Sequence, residues 1–128
     1  MSDFPTQPPN RLPITLPKVL CIEDNMVWQQ RWAEQLKGIA CVLQAVSEQE
    51  ALSLLREFPD IEVIVLDGNL DGSGELDTLD LLRTIRNRFT GVLIAASSDA
   101  KYRRKLLKHG CAIAGPKQAI PDMIALNI

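Results

Sequence analysis

The residues best suited to chemistry stand at the ends of apolar runs. Ile61-Glu62-Val63-Ile64-Val65-Leu66 leads into Asp67, and Gly68-Asn69-Leu70-Asp71-Gly72-Ser73-Gly74 then has the composition of a loop. Lys18-Val19-Leu20-Cys21-Ile22 leads into Glu23 and Asp24, and Cys111 to Ala114 leads through Gly115-Pro116 to Lys117. If the first and third of these runs are neighbours, three carboxylates share one crevice. At about 5 Å and an effective dielectric of about 20, each pair repels by about 3 kcal/mol. Such a cluster takes up protons or recruits a counter-charge. A hard divalent cation with oxygen ligands, Mg²⁺ above all, is the natural partner. A carboxylate beside Mg²⁺ can attack phosphorus to give an aspartyl phosphate, with a lysine and a hydroxyl (Ser97 or Ser98) holding the phosphoryl oxygens.

The elements that must position these groups follow from periodicity. The unbroken apolar run before Asp67 reads as a strand buried on both faces, as in a parallel sheet. After the first strand, Trp28, Trp32 and Leu36 share one face of a helix over 26–37, which Gly38 closes. A second strand covers Ala40 to Ala45, and Ser47 with Glu50 has capping-box spacing for the helix that follows. Leu76, Leu79, Leu82 and Ile85 mark an amphipathic third helix. Gly91 to Ala96 forms a fourth strand, and 99–109 a helix rich in Lys101, Arg103, Arg104, Lys105 and Lys108. A fifth strand, Cys111 to Ala114, precedes a last helical piece at about 120–127. Five alternations of strand and helix imply an α/β fold, a doubly wound parallel sheet with helices on both faces.

The bulk numbers agree with one soluble domain. The chain has 128 residues, 46% hydrophobic and 23% charged, with a net charge of −2. That charge favours neither nucleic acid nor an anionic membrane. No apolar run approaches the roughly 20 residues of a membrane span, and no secretory signal is visible, so a cytoplasmic setting is expected. Residues 1–17 hold five of the eight prolines and read as an extended arm, leaving 18–128 as the domain. Cys21, Cys41 and Cys111 each adjoin apolar residues and read as core packing rather than a disulfide or zinc set.

Ile22-Glu23-Asp24-Asn25, Val65-Leu66-Asp67-Gly68-Asn69-Leu70 and Gly110 to Lys117, in that order, resemble the receiver domain of two-component response regulators. The resemblance covers about 18–126 and implies a flavodoxin-like strand order 2-1-3-4-5. It implies Asp67 as phosphoacceptor, with Glu23, Asp24, Asp67 and the main-chain carbonyl of Asn69 around Mg²⁺, and Lys117 on the phosphoryl group. It also implies a histidine kinase or histidine phosphotransfer protein as donor and a downstream protein partner, with no direct nucleic-acid contact and no membrane.

The departures from that pattern are specific. The family's hydroxyl at the end of strand four aligns with Ala96, or with Ser97 after a shift of one residue. Its aromatic residue in strand five aligns with Ala114, and Gln118 stands where proline normally follows the lysine. The loop after Asp67 is longer than usual. Two other functions stay open at this point: a receiver-like interaction module that works without phosphorylation, and a Mg²⁺-dependent phosphatase with Asp67 as a nucleophile that turns over. Against the phosphatase, Asn69 stands where an Asp-x-Asp enzyme carries its general acid.

Overall fold

Unbroken β-branched and aliphatic runs form strands here because both faces of the sheet are covered. The computed structural model describes residues 15–72 and 75–128. The strands are β1 (Lys18–Ile22), β2 (Cys41–Ala45), β3 (Ile61–Asp67), β4 (Val92–Ala96) and β5 (Ile113–Gly115). The helices are α1 (Met26–Gln35), α2 (Glu48–Glu57), α3 (Leu79–Arg86), α4 (Ala100–Lys108) and α5 (Ile120–Ala125), with a 3₁₀ turn at Lys117–Ala119. All strand pairs are parallel and the order is β2-β1-β3-β4-β5. The expected flavodoxin-like order is therefore present.

Strand β3 lies at the centre, and its alternation divides the core in two. Ile64 and Leu66 join Ala51 of α2, Leu81, Leu82 and Ile85 of α3 and Leu106 of α4. Val63 and Val65 join Trp32 of α1 and Ile120 and Ile124 of α5 on the other face. All four β3 side chains are fully buried, so a one-residue slip would exchange two complete packing layers. The register aligns Ile22 with Leu66, and Asp67 with Ala96, which aligns with Gly115. The carboxyl ends of four strands thus come level at one edge, where open α/β sheets bind ligands.

Short polar side chains fix the helix entries at that edge. Asn25 caps α1 by accepting from the amides of Val27 and Trp28. Ser47 caps α2 through the Glu50 amide, while Glu50 reaches back to the Val46 amide. Asp99 caps α4 through the Lys101 amide. Each cap of this kind contributes about 1 kcal/mol.

Several sequence-based boundaries move. Helix α1 ends at Gln35, and Gly38 takes the left-handed conformation (φ 78°) that turns the chain towards β2. Helix α3 begins at Leu79, so Leu76 and Asp77 fall outside it. Asp77 instead accepts the amides of Leu70 and Asp71 at 2.9 Å each and ties down the loop after Asp67. Strand β5 starts at Ile113 rather than Cys111, because the turn at Gly110 still has Cys111 bonded back to the Leu106 carbonyl. Cys21 and Cys111 are buried as expected, but Cys41 is exposed, lying at the start of the edge strand β2. Of the proline-rich arm expected over 1–17, residues 1–14 lie outside the described residues. Among the described residues no helix is long and apolar enough to cross a membrane.

Candidate functional site

Each acid is set by the strand it follows. Asp67 closes β3 and is 4% exposed, while Glu23, one residue past β1, is fully buried. Asp24 points to solvent at the mouth. One carboxylate oxygen from each of the three acids lies within 4.8 Å of the others. Lys117, just beyond β5, puts its Nζ 2.6 Å from Glu23 Oε1 and 3.4 Å from Asp67 Oδ2. The second Glu23 oxygen accepts the Asn25 amide at 3.0 Å. Both oxygens of the deepest acid are thus occupied.

Asp24, Asp67 and Lys117 border a cleft of about 330 Å³ that also takes in Asn69, Ser97, Asp99 and Tyr102, while Glu23 lies buried outside its lining. A larger groove of about 390 Å³ runs beside Gln44, Gln49, Glu50 and Ser53, but it has one carboxylate and no cation. The smaller cleft is where opposite charges converge.

Burial sets the electrostatics. It pushes the Glu23 carboxyl up to about 8, the charge of Asp67 adds to this, and Lys117 and the Asn25 amide oppose it. Asp67 is also raised, chiefly by burial, against the pull of the Lys117 ammonium. For Lys117 burial works against the charged form, yet hydrogen bonding to Glu23 and the charge of Asp67 outweigh it and raise the group. Three carboxylates face one ammonium, so the fully ionised cluster is short of positive charge. The donor set is all oxygen, with Asp24 open to solvent, and it fits a hard divalent cation.

Ser97 falls just past the end of β4, 5% exposed, and borders the cleft, whereas Ala96 is fully buried in the layer beneath α1 and α5. The hydroxyl in the site therefore belongs to Ser97. Its Oγ accepts the Asp99 amide at 3.0 Å, leaving its own hydroxyl hydrogen to donate, and its carbonyl accepts from Arg103 at 2.7 Å. Asn69 reaches the cleft beside Asp67, and its side chain is spent on the loop, bonding Asp71, the Glu75 carbonyl and the Gly72 amide. Ala114 is half-buried, and no aromatic side chain stands on β5.

Three supporting residues were not assigned to the site by sequence reasoning. Gln29 is fully buried and donates to the carbonyls of Cys21, Glu23 and Ala45, holding the ends of β1 and β2 together. The Trp32 indole donates to the Lys117 carbonyl at 2.9 Å. Asp77 pins the loop as described above. A glutamine among the polar residues of an amphipathic helix, or a tryptophan on its apolar face, carries no signal of such a contact.

A doubly wound sheet in the order 2-1-3-4-5, with acids and a lysine meeting at its carboxyl edge, defines the class of molecule. No protein-family model and no curated protein matches the sequence. Solved structures do match. A response regulator receiver domain from Clostridium thermocellum superposes with a TM-score of 0.69 at 25% identity, over 88% of this chain and 92% of that one. In a co-crystal structure from Saccharomyces cerevisiae, containing a histidine phosphotransfer protein and the receiver domain of its response regulator, the match has a TM-score of 0.71 at 22% identity. It covers 88% of this chain and 89% of that one. A two-component system response regulator/GGDEF domain protein gives 0.74 at 21% identity over 87% of this chain, which spans only 48% of that protein. The chain has the fold of a response regulator receiver domain.

Proposed function

We propose that this chain is a phosphoacceptor signalling receiver that takes a phosphoryl group on Asp67, with Mg²⁺, from a histidine kinase or a histidine phosphotransfer protein. The observation that carries the reading is the convergence of Glu23, Asp24 and Asp67 within 4.8 Å, with Lys117 against two of them. The co-crystallised yeast receiver supports the type of donor. An Asp67 oxygen attacks phosphorus, the P–N bond of the phosphohistidine breaks, and the imidazole leaves with that electron pair. Mg²⁺, when bound, offsets charge on the transferring oxygens. Asp24, Asp67 and the main-chain carbonyl of Asn69 would hold the ion, with Glu23 contributing its charge from behind while it keeps Lys117. Lys117 then exchanges its Asp67 contact for a phosphoryl oxygen, and the Ser97 hydroxyl donates to another.

The product carries about −1.5 to −2 added charges. That change acts on α4, whose first turn borders the cleft through Asp99 and Tyr102. The solvent side of α4 carries Lys101, Arg104, Lys105 and Lys108, and a downstream protein partner reads this face in the cytoplasm. The chain is a switch rather than an enzyme acting on a separate substrate.

Intact-mass spectrometry after incubation with acetyl phosphate and Mg²⁺ tests the reading. One phosphoryl group is expected, absent without Mg²⁺ and absent in Asp67→Asn. Ala96 and Ala114, small where the family carries its coupling residues, favour a second reading: an interaction module independent of phosphate. No adduct at short incubation times, with partner binding undiminished in Asp67→Ala, would establish that alternative.

A further inference from the structure

We infer that Trp32 is a positioning residue for Lys117, holding the lysine's backbone still while its ammonium moves between the buried acids and the phosphoryl group. This deepens the phosphoacceptor reading and rests on it for its functional half. Lys117 leaves Pro116 in an extended conformation and at once enters a single 3₁₀ turn of three residues. Such a turn supplies little restraint of its own. Its carbonyl receives two donors: the Ile120 amide, which closes the turn, and the Trp32 indole Nε1 at 2.9 Å, 85 residues away in sequence. The indole bonds the main-chain carbonyl of the lysine, whereas the acids contact its Nζ.

Trp32 is well placed to act as an anchor. It is fully buried, packed in the layer that holds Val63, Val65, Ile120 and Ile124. An aromatic donor in a close-packed core has two stiff torsions and one hydrogen to give, so the acceptor is held in place with it. Trp28 lies against it with ring centroids 6.2 Å apart, and the Arg31 guanidinium covers Trp28 at 5.3 Å. A continuous path therefore runs from the surface of α1, through the indole, to the Lys117 peptide and on to Glu23 and Asp67. With the carbonyl fixed, only the lysine side chain is free to swing, from Glu23 at 2.6 Å towards whatever Asp67 carries. Gln118, which cannot lock the next φ as proline does, leaves this restraint to the tryptophan.

Trp32→Phe removes the N–H and keeps an aromatic ring. Leu36→Val thins the same packing layer and removes no hydrogen bond. The first measurement needs no phosphate: the rate at which trace acetic anhydride labels Lys117, followed by peptide mass spectrometry in the wild type and both variants. Labelling should rise about five- to tenfold in Trp32→Phe, the loss of one hydrogen bond to a poorly restrained turn, and stay near wild type in Leu36→Val. Equal labelling in all three, or a rise of the same size in both variants, overturns the inference. The second measurement is phosphoryl uptake from acetyl phosphate, which should slow by a similar factor in Trp32→Phe alone. If the wild type takes up no phosphate while the labelling contrast holds, the phosphoacceptor reading fails and the positioning role stands. Should Trp32→Phe fail to fold, the indole N–H resonances decide: in Lys117→Met that of Trp32 should stay at its wild-type position, because its acceptor is the main-chain carbonyl and not the ammonium. A Trp32 resonance that shifts on loss of the ammonium, showing that the carbonyl moves with the side chain, overturns the inference.

Discussion

On the β1–β3 side of the crevice, Glu23 is fully buried, Asp67 is nearly so, and every Glu23 oxygen has a partner within 3.0 Å. On the β4–β5 side the strands end in Ala96 and Gly115, with half-buried Ala114 packed against the layer that holds Leu106. The first side concentrates charge at a large desolvation cost, which only a fixed counter-ion geometry offsets. The second offers almost no side-chain volume to move. An aromatic lever cannot report events at Asp67 when the position holds alanine. What remains is the hydrogen bonding at Ser97: its amide donates to the Gly115 carbonyl at 3.2 Å, its Oγ takes the Asp99 amide, and its carbonyl takes Arg103 of α4. Charge is stored on one side, and a polar hinge rather than a packed one connects the other side to α4.

Lys117→Ala should break this contrast most severely, because it strips the charged side of the one cation that pairs with it among the described residues. Phosphoryl uptake should fall by roughly a hundredfold, the loss of one strong charge–charge contact in the transition state. Stability should fall by only about 1–3 kcal/mol. Breaking a buried pair that cannot neutralise itself costs more, about 3–5 kcal/mol. Here Glu23, already pushed up to about 8, is held in its neutral form without the ammonium, which caps the loss. Denaturant titration at pH 7 beside the uptake assay separates the two effects; a loss above that range would mean Glu23 stays ionised when unpaired.

The same proton predicts how stability depends on pH. The native protein binds at Glu23 a proton that the unfolded chain, near the ordinary 4.5, has released, and the raised Asp67 acts in the same direction. Between about pH 4.5 and 8 this contribution is present at the low end and lost at the high end. Stability in metal chelator should therefore decline through that window, by up to about 1.4 kcal/mol per pH unit for each proton. Glu23→Gln should flatten the slope. So should saturating Mg²⁺, since the cation takes the place of the proton. A flat profile in the untreated protein would show that Lys117 alone compensates the cluster.

Much of this was legible in the sequence, and the misses have physical causes. Strand identity followed from unbroken apolar runs, because a buried parallel strand has no alternation to misread, whereas the strand order came only from the resemblance to receiver domains. Glu23, Asp24, Asp67 and Lys117 came together as the strand ends implied. The start of α3 was misplaced because Leu76 keeps helical spacing, while Asp77 gains two loop amides by staying outside the helix. Cys41 was misread because apolar neighbours do not distinguish an edge strand from a central one. The Trp32–Lys117 bond spans the whole domain, and local pattern contains nothing about contacts at that separation.

Ser97 is the finest test of the contrast, because sequence alignment left the hydroxyl between it and Ala96. Ser97→Ala deletes the hydroxyl proposed to donate to the phosphoryl group and one acceptor for the Asp99 amide, while the backbone bonds to Gly115 and Arg103 remain. Uptake should slow by about tenfold, the value of one hydrogen bond to a charged oxygen, and stability should change by about 1 kcal/mol or less. Ala96→Thr should do the opposite. That side chain is fully buried beneath α1 and α5, so two added heavy atoms should cost about 1–3 kcal/mol and leave uptake unchanged. If Ala96→Thr instead restored uptake to a Ser97→Ala background, the end of β4 would be able to shift by one residue. The β4–β5 side would then be the adaptable half of the crevice, set against a charged half that is fixed.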